Sequence, residues 1–283
     1  MSLSIVLAFG AMFGWGVGDF LIQRTVKKIG EIGTLVWITF FSSFILLPIA
    51  FHDILLLNSK QIVLLLILGV ADFASGFVHL KALSIGKLSV VEIILSIELP
   101  LTILLGIIFF AEKLTLTQTI LIIFLFIGII LISVDFKKIN KKDFLEKGSL
   151  LALLSAVLIA IVNFFSAAQA REISPIMALW LPWMFCGLIS ISCIKIKDFQ
   201  IFLGASKKNW RLILAMVIVD TFAWVAYMFA VAKEELSITI AITESFVVVA
   251  MMLGIVFNQE KINRIQYLGA ALAISCSIII AFI

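Results

Sequence analysis

Ten stretches of nearly uninterrupted apolar residues, each close to 20 residues long, decide what this chain can fold into. They run at approximately 4–23, 33–51, 62–82, 88–110, 117–134, 148–169, 175–194, 211–232, 236–257 and 265–283. A helix of about 20 residues crosses the hydrocarbon core of a bilayer with its backbone polar groups satisfied internally. Composition agrees: 63% of the residues are hydrophobic and 13% charged, with a mean hydropathy of +1.25, against roughly half apolar and a quarter charged in soluble domains. Alternating strands of the membrane-barrel type are absent. The expectation is an all-α integral membrane protein with ten transmembrane helices and no large soluble domain. Residues 1–23 lack the basic start of a signal peptide and carry Trp15 and Asp19, so they read as the first permanent helix.

Sliding the sequence against itself gives an ungapped match at an offset of 148 residues. From Asp72–Gln118 to Asp220–Gln266, twelve of 47 positions are identical. The pairs Asp72/Asp220, Glu112/Glu260, Lys113/Lys261 and Gln118/Gln266 are the informative ones, because shared aliphatics mean little in a chain this apolar. Each repeat holds five helices, and an odd number makes the second half enter the membrane from the opposite side. The domains are therefore a first five-helix repeat at 1–135, a charged linker FKKINKKDFLEK at 136–147, and a second five-helix repeat at 148–283. Inverted repeats of this kind build many secondary transporters, with the substrate site near the midplane between the halves.

The Trp15-Gly16 pair, a fourth helix containing Pro100 that runs into AEKLTLTQ, the matching NQEKINRIQ of the second half and the two five-helix halves together resemble the EamA-type members of the drug/metabolite transporter superfamily. The resemblance covers essentially the whole chain. It implies a ten-helix exporter or permease of small metabolites such as amino acids, with a cavity built chiefly by the first, third, fourth, sixth, eighth and ninth helices. Val248 stands where the first half has Pro100, and Asn163 where it has Trp15, so the site is not symmetric.

Ionisable residues inside spans mark pathways, since an ionised acid at the bilayer centre costs roughly 2.5–3.5 kcal/mol on insertion scales. Asp72 and Asp220 sit near the middle of the third and eighth helices. The stripe from Asp72 continues through Gly76 to His79, and the matching stripe runs Asp220, Trp224, Tyr227. Glu92 and Ser96 share a face of the fourth helix, and Glu244 takes the repeat position of Ser96, so Glu92 and Glu244 are expected in one pseudo-symmetric space. Glu98 lies about 240° around the fourth helix from Glu92, next to the bend expected at Pro100, and does not easily share that wall, so its lining and packing readings stay open. Gly10, Gly14 and Gly18 form a small-residue groove for close helix approach, which turns the Trp15–Asp19 stripe toward the bundle interior. Asn163 is the repeat partner of Trp15. Glu112 and Glu260 read mainly as architecture, each preceding an N-cap pair, Thr115 with Gln118 and Asn263 with Gln266.

The candidate substrate-binding residues are thus Trp15, Asp19, Asp72, His79, Glu92, Asn163, Asp220, Trp224, Tyr227 and Glu244, with Asp72, Asp220, Glu92 and Glu244 as proton-coupling candidates. Lys81 and Arg171 lie near helix ends, from which they snorkel outward. An acid-rich cavity suits a substrate with an amino or other cationic group. The expected function is a secondary transporter, an exporter by resemblance, of small polar metabolites such as amino acids or amines. A passive channel or lipid-handling protein is the alternative. Nothing forms the convergent nucleophile, base or metal set of an enzyme, and no cofactor is expected. Cys186, Cys193 and Cys276 read as packing residues. The partners are a small-molecule substrate and the bilayer, without nucleic acid, and a monomer suffices. The protein is expected in the plasma membrane. Seventeen of the 21 Lys and Arg residues fall on alternate loops and their flanks, which by the bias of basic residues toward the cytoplasm puts both termini outside.

Overall fold

A computed structural model describes residues 2–85, 88–133, 147–259 and 261–283. Most of the 136–147 linker and Glu260 lie outside the described residues, as does the side chain of Glu92. All the elements of the described residues are helices. Helix α1 (Leu3–Leu35) passes into a π-helical stretch, Val36–Phe41, and then α2 (Ser42–Ile54). There follow α3 (Ser59–Ile85), α4 (Leu88–Leu95), α5 (Glu98–Phe109) and α6 (Leu116–Ser133). The second half comprises α7 (Lys147–Glu172), α8 (Pro175–Ser192), α9 (Ile196–Lys208), α10 (Trp210–Val231), α11 (Leu236–Thr243), α12 (Phe246–Asn258) and α13 (Arg264–Ile280).

Seven helical stretches are long and apolar enough to cross a membrane, and two shorter apolar helices cover Ile93–Phe109 and Arg264–Ile280. The first of the seven is 52 residues long, Leu3–Ile54, and merges the first two apolar runs. The merger has a local cause. The connecting residues favour helix on both sides of Gly30, and Gly30 itself turns the chain at φ +77°, a conformation open to a residue without a Cβ.

The repeat is visible in the backbone. Helix α4 and helix α11 occupy positions 148 residues apart at both ends, and so do the starts of α5 and α12. Both broken helices tighten to three-residue hydrogen bonding at the break: Ile97 N donates to Ile94 O and Ser245 N to Ile242 O, at 3.1 and 3.2 Å. Pro100 lies in the first turn of α5, where proline is tolerated and cannot donate to Ser96 O four residues back. Val248 at the equivalent place donates instead to Ser245 O at 3.0 Å. The break is therefore a property of both repeats, with or without proline.

Close backbone approach organises the packing. A Cβ on Gly14 would lie 2.7 Å from the Ala223 Cβ, and those on Gly10 and Gly18 would touch Phe222 and Asp220. The glycine groove of α1 thus receives α10. Helices α6 and α13 cross at Gly128 and Gly269, where an added Cβ would come within 2.8 Å of the facing backbone. Capping follows the sequence expectation at both sites: Asn263 and Gln266 form a reciprocal capping box at α13, and Thr115 and Gln118 do the same at α6.

Candidate functional site

A cavity of about 230 Å³ opens among α1, the π-helical stretch, α3, α5, α7, α8, α10 and the α11–α12 break. Its wall includes Trp15, Asp19, Asp72, His79, Asn163, Asp220, Trp224 and Glu244, eight of the ten residues chosen from sequence. Glu92 lies in α4, and its side chain is outside the described residues. Tyr227 does not line the cavity. It is fully buried behind the wall, its ring 5.0 Å from Trp15 and 5.8 Å from Trp224.

Of the wall residues outside the sequence choice, Glu98 and Trp183 shape the site most. Glu98 opens α5 immediately after the break and receives a 2.6 Å hydrogen bond from Asn163 Nδ2. The angular argument that set Glu98 apart placed the bend at Pro100, after Glu98, whereas the helix breaks at Ser96–Ile97, before it, and the break re-aims Glu98. Trp183 of α8 closes the aromatic side, 6.1 Å from Trp224. An aromatic residue in an apolar run carries no sequence signal that separates lining from packing.

Five carboxyl side chains, Asp19, Asp72, Glu98, Asp220 and Glu244, therefore face one small space, and among the described residues no Lys or Arg lines it. A second cavity of about 80 Å³ shares Asp19, His79, Glu98 and Glu244 and reaches Ser96 and Ser133. Asp220 and Asn163 are 3% and 2% exposed. The buried atoms His79 Nδ1, Asn163 Oδ1 and Asp220 Oδ2 have no protein hydrogen-bond partner, so they are available to water or a bound molecule. No described group of His, Cys, Asp and Glu could hold a metal ion.

From the cavity, α1 leads through Trp15 to Ser4, and α10 leads through Trp224 and Tyr227 to Val231. Both paths end at a clasp. Glu112 Oε1 accepts from Leu236 N at 2.7 Å, and its Oε2 accepts from Ser237 N at 2.9 Å and Ser237 Oγ at 2.6 Å. The carboxylate thereby caps the first turn of α11 from the other repeat, where free N–H groups and the helix dipole favour an anion. Arg171 joins it at 3.3 Å, donates also to Val231 O and Glu234 O at 2.8 Å, and lies over the Phe110 ring. Ser4 Oγ donates to Glu234 at 2.9 Å. Arg171 does not snorkel away from the bundle, because three acceptors and an aromatic face hold it there. Lys81 does reach outward, 3.8 Å from Glu31 with its side chain 44% exposed.

Residues 2–134 and 146–282 each match the model of the EamA-like transporter family. The chain belongs to that family. An EamA-like chain is a membrane transporter rather than an enzyme, and its two matched segments agree with the 148-residue internal offset read from the sequence. No curated protein matches the sequence significantly. Among solved structures, the crystal structure of a protein shares the EamA-like fold at a TM-score of 0.75, over 97% of this chain and 94% of that one, with 11% identity. A likeness at that identity carries the fold alone.

Proposed function

We propose that this EamA-like protein is a secondary transporter that exports small polar metabolites bearing an amino or other cationic group. The observation that carries the reading is the set of five carboxyl groups around one cavity without a basic residue among its described lining. A cation entering that space gains partners, and an anion meets repulsion. The volume, about 230 Å³, falls below the roughly 300–1,000 Å³ of pockets for drug-sized ligands, which favours a small metabolite. The reading takes ten membrane crossings, two within Leu3–Ile54 and one each for the two shorter apolar helices, with the five-helix repeats inverted in the plasma membrane. Alternating access by rocking the halves around the broken helices is the mechanism such inverted repeats use, and this reading takes the clasp of Glu112 and Arg171 as a gate at one end.

A thermal-shift screen of the purified protein against a metabolite library tests the substrate class, because a ligand that binds only the folded state raises its melting temperature. Amine-bearing compounds should stabilise it; stabilisation by a purely anionic class alone would show that the cavity has been misread. Counterflow in proteoliposomes separates a carrier from a passive channel, which shows none. Proton coupling is assigned to Asp72 and Asp220 first, then Glu92 and Glu244, since a carboxyl buried at membrane depth is costly to ionise and can load and release a proton as access alternates.

A further inference from the structure

Helix α9 lies between two membrane-capable helices in a stretch that reads from sequence as a basic connecting loop. Only residues 193–195 separate it from α8, and Asn209 alone separates it from α10. One of its faces is pinned to the bundle. Trp37 Nε1 donates to Ser206 Oγ at 3.0 Å, and the Phe202 ring lies against Gly33, 3.2 Å from where a Cβ would stand.

The rest of its surface is unpartnered within the chain and divided. Ile196, Phe199 and Leu203, spaced on one helical stripe, are 94%, 39% and 43% exposed. Lys207, one turn after Leu203, ends that stripe with Gln200 beside it, and Lys197 and Lys208 occupy the adjoining side together with Ile201; all five are exposed. Exposed apolar side chains with lysines on and beside their stripe are the composition of a helix that lies in the plane of a bilayer surface. Its place fixes the depth. Trp210, 55% exposed, opens α10 directly after α9, with the Arg211 guanidinium 5.5 Å from its ring. Tryptophan and arginine at the mouth of a span are headgroup-level anchors.

We propose that α9 is an interfacial helix that binds anionic phospholipid headgroups through Lys197, Lys207 and Lys208 and sinks Ile196, Phe199 and Leu203 into the acyl boundary. The partner is a lipid surface rather than a soluble protein because the helix is tethered within a few residues of two spans, and its apolar stripe lies beside cations that match an anionic headgroup layer. The binding has a route to the transport site. Trp37, held by Ser206, belongs to the π-helical stretch whose neighbours Ile38 and Thr39 line the large cavity. Headgroups that hold α9 in place therefore steady that wall.

The test uses the full-length protein in mixed micelles titrated with phosphatidylglycerol or phosphatidylcholine, reading the melting temperature. Phosphatidylglycerol should raise it by about 5 °C more than phosphatidylcholine. The triple variant Lys197→Gln, Lys207→Gln, Lys208→Gln should lose at least half of that difference, whereas Lys60→Gln with Lys113→Gln, at the opposite end of the bundle, should keep it. Equal stabilisation by both lipids, or a full difference in the triple variant, overturns the assignment. Spin labels in nanodiscs give a second reading independent of stability. A label at Leu203→Cys should be reached by oxygen from the lipid, and one at Asp198→Cys, exposed on the far side of the helix, by a water-soluble nickel complex. If the nickel complex reaches both equally, the stripe is a water-facing surface and the proposal fails. Neither readout involves a substrate, so the proposal can fail while the transport reading stands, and the reverse.

Discussion

Glu112 shows how one side chain can be placed by several donors at once. It is 9% exposed and accepts from two backbone N–H groups, a hydroxyl and a guanidinium. Glu112→Ala would leave those donors without an acceptor and the Arg171 charge without its carboxylate, and should cost about 2–4 kcal/mol. Glu112→Gln should cost nearly as much, because its amide nitrogen would face N–H groups. Thermal unfolding in detergent measures both, and a loss below 1 kcal/mol would show that the clasp contributes little. In the cavity, Asp72→Asn and Asp220→Asn keep shape and hydrogen bonding but cannot titrate. Under proton coupling each should abolish accumulation driven by a pH gradient and leave substrate exchange intact. Weakened binding at every pH would instead make the acid a fixed counter-charge, and unchanged accumulation would make it a packing residue. The acids of the cavity were legible because a charge in an apolar run stands out. Trp183 was not, since burial in protein and contact with a cavity look alike in sequence.

At the scale of the helix, local rules explain most of what the sequence conveyed. The Asn263/Gln266 and Thr115/Gln118 spacings predict N-caps, and the four-residue glycine spacing of α1 predicts a close neighbour. Both follow from geometry that one helix determines by itself. The breaks before α5 and α12 were less legible. Proline marks one of them only, and the azimuth of Glu98 depends on the turn between α4 and α5. Helix α9 was hidden because its lysines dilute the apolar stripe in any window long enough to find spans. The glycine groove gives a further expectation. Gly14→Val places a branched side chain where even a Cβ would sit 2.7 Å from Ala223, and should lower stability by about 1–3 kcal/mol. Gly204→Ala, with nothing near its missing Cβ, serves as the control and should leave the melting temperature unchanged or raise it slightly.

For the molecule as a whole, hydrogen bonds sort the loops into two ends. Ser4, Asp53, Glu112, Arg171, Ser174 and Glu234 are joined in contacts at one end, and Arg24 pairs with Asn258 near the other. Among the described residues, Arg24, Lys81, Lys207 and Lys208 lie on segments joined at the second end, so both termini should be extracellular. A periplasmic-type alkaline phosphatase fused after Ile283 should be active, and a fusion active only when the reporter stays in the cytoplasm would reverse the orientation. The crossing of α6 and α13 carries a mechanical consequence. At Gly128 and Gly269 the two backbones meet without side chains between them, and Leu131 and Ala273 stand on either side of the contact. Neither helix can slide along the other without collision, although one comes from each repeat. Under the proposed alternating access, the moving bodies are then the remaining helices of each half, pivoting on a keel that the two repeats share. Spin labels on α6 and α13 should keep their separation when substrate binds while labels on α1 and α3 change theirs, and a shift in the first distance would mean that each repeat swings as a complete unit.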